Sequence, residues 1–220
     1  MATIESIQHA YIDLVLTEGE PPKSVYLFAK RNKMPEEEFY KFFSSFEAIE
    51  QNIWIGFAVK TISEIKSQDA WRLFTAREKA LSFFYTFFEM LKSSRSFVVY
   101  SIKKQPKTFT SSQIFSGIKD VFENFCNDLI IDGIESDELS DRKFFTNRYK
   151  DALWVQLLFV LNFWINDSST GFEKTSEAIE KGINVTFDLF QRSPIDNLLE
   201  FGKFLTRNRS IKHKISFGHN

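Results

Sequence analysis

The chain has 220 residues, 28 of them basic and 29 acidic, for a net charge of −1. That length suffices for one domain, or for a small unit fused to a larger one, with a core that needs no covalent staples. The near-neutral balance excludes global steering toward nucleic acid or an anionic membrane, and the single cysteine, Cys126, excludes an internal disulfide.

The pattern reads helical almost throughout. Proline and glycine fall at breaks, and no segment sustains a two-residue alternation bounded by turn dipeptides. Ile4, Ile7, Tyr11, Leu14 and Val15 mark a first helix that Gly19 closes and Pro21-Pro22 keeps closed. Residues 24–30 form a short second helix with Ser24 as its N-cap. Pro35 suits the first turn of a third, and Glu36, Glu37 and Glu38 favour its positive dipole end. Ser44 or Ser45 caps a fourth helix that runs to about Lys66.

Beyond it, residues 75–92 carry apolar stripes on two faces, with Leu81, Phe84, Tyr85, Phe88 and Leu91 on one and Phe83, Phe87 and Met90 on the other. Such a helix must be central in its domain. Residues 97–102 are a short apolar segment. A long helix is expected over 111–131, an acidic loop over 132–141, the most apolar long helix over 143–166, and a further helix over 172–191. The short connection 167–171 makes the last two an antiparallel hairpin. Pro194 opens a last helix over 195–205.

Three features bear on location and chemistry. The apolar run 152–165 falls short of the roughly 20 residues a membrane span needs, and no targeting segment stands at the start, so a cytoplasmic protein without a membrane span is expected. Cys126 lies among apolar helical positions and reads as a core thiol. His9, His213 and His219 have no metal-ligand spacing, and there is no glycine-rich phosphate loop or nucleophile elbow. No catalytic residue, metal or cofactor is expected, and the carboxylates Asp137 and Glu138 read as facing water.

Residues 28–49, FAKRNKMPEEEFYKFFSSFEAI, have the apolar spacing of a small helix-turn-helix. Here the chain resembles the TetR family of bacterial one-component regulators. Ala29, Met34, Phe39, Tyr40, Phe42, Phe43, Ser45, Glu47 and Ile49 match the family pattern in type without a gap, and Ile7, Leu14, Gly19, Val25 and Phe28 fit upstream. About 50 residues carry the resemblance; the rest matches in kind, as a helical body. The resemblance implies an all-α, TetR-like fold, with a three-helix unit over 1–50 and a ligand-binding and dimerisation domain over 51–220. It also implies DNA as a partner, a homodimer built on the last two long helices, and an apolar small-molecule effector.

The departures from the family pattern concern charge. Lys33 replaces the turn glycine, so a residue that disfavours positive φ must make the turn. Pro35 replaces the capping serine, and Glu36, Glu37 and Glu38 stand where the family approaches the major groove. Phe46 replaces a phosphate-gripping lysine. Residues 1–50 hold five basic and nine acidic side chains, a net of −4. The DNA-binding candidates are Ser24, Tyr40 and Lys41 for phosphate, Lys33 at the turn, and Glu36 and Glu38 at the reading position, where a carboxylate can accept from cytosine N4.

Two readings follow: a ligand-responsive regulator, or a carrier or scaffold on the same fold that binds lipid or another hydrophobic molecule and no DNA. For a ligand pocket between bundled helices the candidates are Phe84, Phe87, Phe88, Trp154, Phe159 and Phe163. From 201 to 220 there are five basic residues and no acidic one, a tail able to touch DNA, an acidic partner or the acidic N-terminal unit.

Overall fold

Local capping sets where the helices start. Thr3 and Ser6 exchange side-chain and backbone hydrogen bonds at the head of α1 (Ile4–Glu18), and Gly19 closes it at φ 76°. Ser24 caps α2 (Val25–Arg31), Pro35 precedes α3 (Glu36–Tyr40), and Ser45, rather than Ser44, caps α4 (Phe46–Lys66). A Thr75/Glu78 capping box opens α5 (Ala76–Lys92), and α6 (Arg95–Lys103) follows almost at once. The chain continues through α7 (Ser116–Glu135), α8 (Tyr149–Asn166) and α9 (Glu173–Phe190). This computed structural model describes residues 2–104, 113–142, 146–191 and 204, and every regular element among them is helical. The expected helix over 195–205 and all of the basic tail except Phe204 lie outside the described residues.

Two apolar clusters organise these helices. The smaller joins Ile7, Tyr11, Leu14, Val15, Phe28, Phe39, Phe43, Ile49 and Ile53, and Phe97 from α6 completes it. The larger gathers Trp54, Ala58 and Ile65 of α4 with the inner faces of α5, α7, α8 and α9. One helix, α4, therefore feeds both cores: Ile49 and Ile53 point into the first, Trp54 and Ala58 into the second. At Gly117 a Cβ would stand 2.5 Å from the Ile55 side chain, so a larger residue at the start of α7 would make that side chain shift.

Several expectations needed correction. The supposed acidic loop begins later, because α7 continues through Asp132, Gly133, Ile134 and Glu135. Leu139 then folds back onto Gly133, where any Cβ would stand 2.7 Å from it. Glu138 does not simply face water. Its carboxylate accepts from the Ala76 N–H at 2.6 Å and the Arg77 N–H at 3.0 Å, capping the positive end of α5. The helix expected from 111 starts at Ser116 behind a 3-10 turn, and that expected from 143 starts at Tyr149. The segment 97–102 is part of a full helix, α6. Tyr85 is half-exposed and donates weakly to the Ser176 carbonyl, so the outer stripe of α5 is only partly covered. Cys126 is a core thiol, and burial pushes it well above its ordinary pKa.

The α8–α9 hairpin turns on Asp167, which is only 7% exposed. Burial alone would raise this carboxyl. Hydrogen bonds from the Thr175 and Ser169 hydroxyls, and from their backbone N–H groups, outweigh burial and hold it at about 2. At the same end, Arg95 donates to the Trp164 and Ile165 carbonyls and stacks on Trp164 and Phe172, satisfying the negative end of α8 with a cation.

Candidate functional site

The turn between α2 and α3 is built as the sequence demanded. The Met34 N–H bonds to the Ala29 carbonyl at 3.0 Å and the Lys33 N–H to the Lys30 carbonyl at 3.2 Å, a Schellman closure. The closing residue is Lys33, held at φ 54°, the left-handed conformation that a glycine takes without strain. Phe28 and Phe39 meet edge-to-face at 5.8 Å and lock α2 against α3.

The six candidates on this unit have distinct surroundings. Ser24 is committed to capping, accepting from the Leu27 N–H at 3.2 Å. Lys33 and Glu36 are exposed. Glu38 turns back to the start of α1 and accepts from the Ala2 N–H at 3.1 Å. Tyr40 is 53% exposed, with its ring edge-on to Phe39. Lys41 is exposed and pairs loosely with Glu37 one turn earlier, at 3.6 Å. Lys30 lies over the exposed Tyr26 ring, and Arg31 pairs with Glu18. The exposed side chains of α2, the turn and α3 are thus of mixed sign, with Lys30, Lys33 and Lys41 against Glu36 and Glu37. Phe46 stacks on Tyr11 at 5.6 Å and meets Phe28 and Phe39, so the ring that replaces a phosphate-gripping lysine packs into the unit's own core.

Sequence reasoning missed the polar junction behind this unit. Glu50 is 2% exposed. Its carboxylate accepts from the Tyr11 hydroxyl of α1 at 2.5 Å, from the Lys104 ammonium just past α6 at 3.1 Å, and from the Ser101 hydroxyl of α6 at 3.4 Å. Ser101 in turn accepts from the Trp54 indole N–H at 3.1 Å. Burial and Glu50 together push the Tyr11 hydroxyl far up and that of Tyr100 to about 12. One acidic side chain therefore ties α1, α4 and α6 together. The only hint in the sequence was a glutamate at an apolar-phase position of α4.

In the body, the structure brings four of the six pocket candidates into a close-packed ring cluster. Phe84, Phe87, Phe88 and Trp154 are all buried, against Phe122, Phe83, Trp164 and Phe122 respectively, with centroids 5.5–6.1 Å apart. Phe163 is half-buried, and Phe159 is 61% exposed on the outer side of α8. There it lines an open apolar groove of about 580 Å³ with Ala152, Val155, Gly182 and Val185. Spacing along α8 could not separate these outcomes, because α8 is apolar on almost every side and only its neighbours decide which face is inside.

Among the described residues, no group of three His, Cys, Asp or Glu side chains could hold a metal ion, and no helix is long and apolar enough to cross a membrane.

Among the described residues the chain is all-helical, with a helix-turn-helix-like head and a larger helical bundle. A family model described as the tetracyclin repressor-like C-terminal domain matches residues 79–205, more than half of the chain. The chain belongs to the TetR family. Its structure is similar to the crystal structure of the TetR transcriptional regulator from Nitrosomonas europaea ATCC 19718, with a TM-score of 0.62 at 12% identity, covering 84% of this chain and 98% of that one. It is also similar to a protein with unknown function from Rhodococcus sp. RHA1, with a TM-score of 0.54 at 9% identity, covering 87% and 97%. No curated protein matches it.

Proposed function

We propose that this protein is a ligand-responsive transcriptional regulator that binds DNA as a homodimer. Residues 1–50 would serve as the reading unit and 51–220 as the ligand-binding and dimerising body, acting in the cytoplasm by binding rather than by catalysis. The observation that carries this reading is the α2–α3 turn. Its Schellman geometry is retained although Lys33 must take a left-handed conformation, and it leaves Tyr40 and Lys41 exposed beside the start of α4. Support for the homodimer comes from the outer face of the α8–α9 hairpin, where Val155, Phe159, Val185 and Leu189 are each 47–63% exposed. Two copies related by a two-fold axis would cover that face, since an isologous contact is self-complementary. An apolar small-molecule effector bound to the body would then change the separation of two reading heads that must fit half-sites on one face of DNA.

A second reading is favoured by one observation: Glu36 and Glu37 stand exposed where phosphate would approach. On this reading the protein is a carrier or scaffold on the same fold, holding a hydrophobic molecule without touching DNA. A gel shift with the promoter region of its own operon, run at low and moderate salt, separates the two. The regulator reading expects a specific shift that weakens with salt. Absence of a specific shift at both salt concentrations rejects it in favour of the carrier.

A further inference from the structure

The packed rings of Phe84, Phe87, Phe88 and Trp154 leave the question of where a small molecule could enter without prising the core apart. One cleft in the body combines an aromatic floor with unused hydrogen-bond donors. It lies between the C-terminal end of α4, the 3-10 turn Asp69–Leu73, the start of α5 and one face of α7, and has a volume of about 320 Å³. Its floor is Trp71, half-buried with its ring 6.1 Å from Phe125, together with Leu129. Ile131, which also lines the cleft, is a large apolar side chain left 54% exposed. A second opening, lined by Ile62, Val121 and Asn124, extends the cleft along α4 and α7 and shares Lys66, Phe125 and Asp128 with it.

The charges of this cleft are layered. The Lys79 side chain is only 11% exposed, and its ammonium lies 5.5 Å from the Trp71 centroid and 2.6 Å from Asp132. Asp132 is the outer member of that pair, at 51% exposure. Lys66 at 44% is likewise less exposed than its partner Asp128 at 68%. Lys66 makes no hydrogen bond among the described residues; its single contact is an ion pair at 3.5 Å, too long and too wet to hold it firmly. An ammonium has three donors, and those of Lys66 are open beside an apolar floor. The wall is therefore aromatic with Lys79 as its deepest charge, while Lys66 and the two carboxylates sit nearer the rim.

We infer that this α4–α7 cleft is a binding site for an amphipathic organic anion, whose apolar portion lies on Trp71, Phe125 and Leu129 and whose carboxylate displaces Asp128 from Lys66. Only the description of that anion as the effector rests on the regulator reading; the binding itself does not. The site narrows the expected ligand from simply apolar to apolar with an acidic head, and moves it from the phenylalanine core to the flank of α7.

The test uses three probes with the same ten-carbon chain, decanoate, decanol and decyltrimethylammonium, titrated calorimetrically into the full-length protein below their micellar concentrations. Decanoate is expected to bind at least 10-fold more tightly than either of the others. Lys66→Glu, at a side chain 44% exposed and with its fold checked by circular dichroism, is expected to weaken decanoate at least 10-fold and to spare decanol. Trp71→Phe is expected to remove most of the decanoate-induced change in tryptophan fluorescence. Equal affinity for the three probes, no decanoate binding at millimolar concentration, or an unchanged decanoate affinity in Lys66→Glu would each overturn the assignment. A protein that binds decanoate in this way but gives no specific gel shift would keep the site and lose only the regulator reading.

Discussion

Replacing Glu50 by alanine tests whether the buried carboxylate holds the N-terminal unit onto the body. The change takes the acceptor from two fully buried hydroxyls, Tyr11 at 2.5 Å and Ser101 at 3.4 Å, and from the Lys104 ammonium at 3.1 Å. Lys104 is 35% exposed and can turn to water, so its loss is small. Tyr11, fully buried, cannot, and a stranded buried donor costs about 1–3 kcal/mol. Ser101 keeps the indole N–H of Trp54 and its remaining contacts, so Tyr11 carries most of the penalty. Adding the cavity left by the side chain, the expected destabilisation is about 3–4 kcal/mol, in the range found when one member of a buried ion pair is removed. Glu50→Gln keeps the volume and one acceptor oxygen and should cost about half as much. Urea unfolding followed by far-ultraviolet circular dichroism gives both values, and limited trypsin digestion should show cleavage within residues 1–50 rising first. A loss below about 1 kcal/mol for Glu50→Ala would refute the argument, because it would mean that water already satisfies these groups.

Three further outcomes follow from other parts of the molecule. Lys33→Gly removes the penalty of a left-handed lysine at φ 54° and should stabilise the protein by about 0.5–1 kcal/mol after the entropy that glycine adds to the unfolded chain; no gain in urea midpoint would contradict the turn geometry. Asp167, held at about 2 by the hydroxyls and N–H groups of Thr175 and Ser169, contributes stability that is fully present above its unfolded pKa of about 4 and is lost as pH falls toward 2. Asp167→Asn should therefore cost about 2 kcal/mol at pH 7 and flatten the acid limb of the stability profile between those values, which thermal melts across that range would measure. Phe159→Glu places a charge on the open α8–α9 face at a side chain already 61% exposed, so it should change monomer stability by less than about 0.5 kcal/mol while, on the proposed homodimer, halving the mass seen by sedimentation; a dimer that persists in the variant would remove this face from the interface.

Local chemistry made most of the fold legible. Ser24 and Ser45 cap helices where a hydroxyl can meet an orphan N–H, Gly19 takes the left-handed closure, and Phe28 and Phe39 recur at the spacing that joins two short helices. These signals act over three or four residues, so a sequence carries them whole. The altered turn was legible too, since only one residue stood where positive φ was needed.

What the tertiary structure alone decided depends on contacts distant along the chain. Phe159 and Phe163 share one helix with the buried Trp154 and Trp164, and only the placement of α9 on one side of α8 leaves Phe159 outside. Glu138 became a helix cap because a turn 62 residues beyond Ala76 returns to the head of α5. Glu50 became the junction of three helices because Tyr11 and Lys104, 39 and 54 residues away, converge on it. Helix starts and turns are set by bonds to near neighbours, which composition and spacing encode directly. Which face is buried, and which charge is paired, is set by whatever the folded chain brings to that place, and no local pattern carries that information.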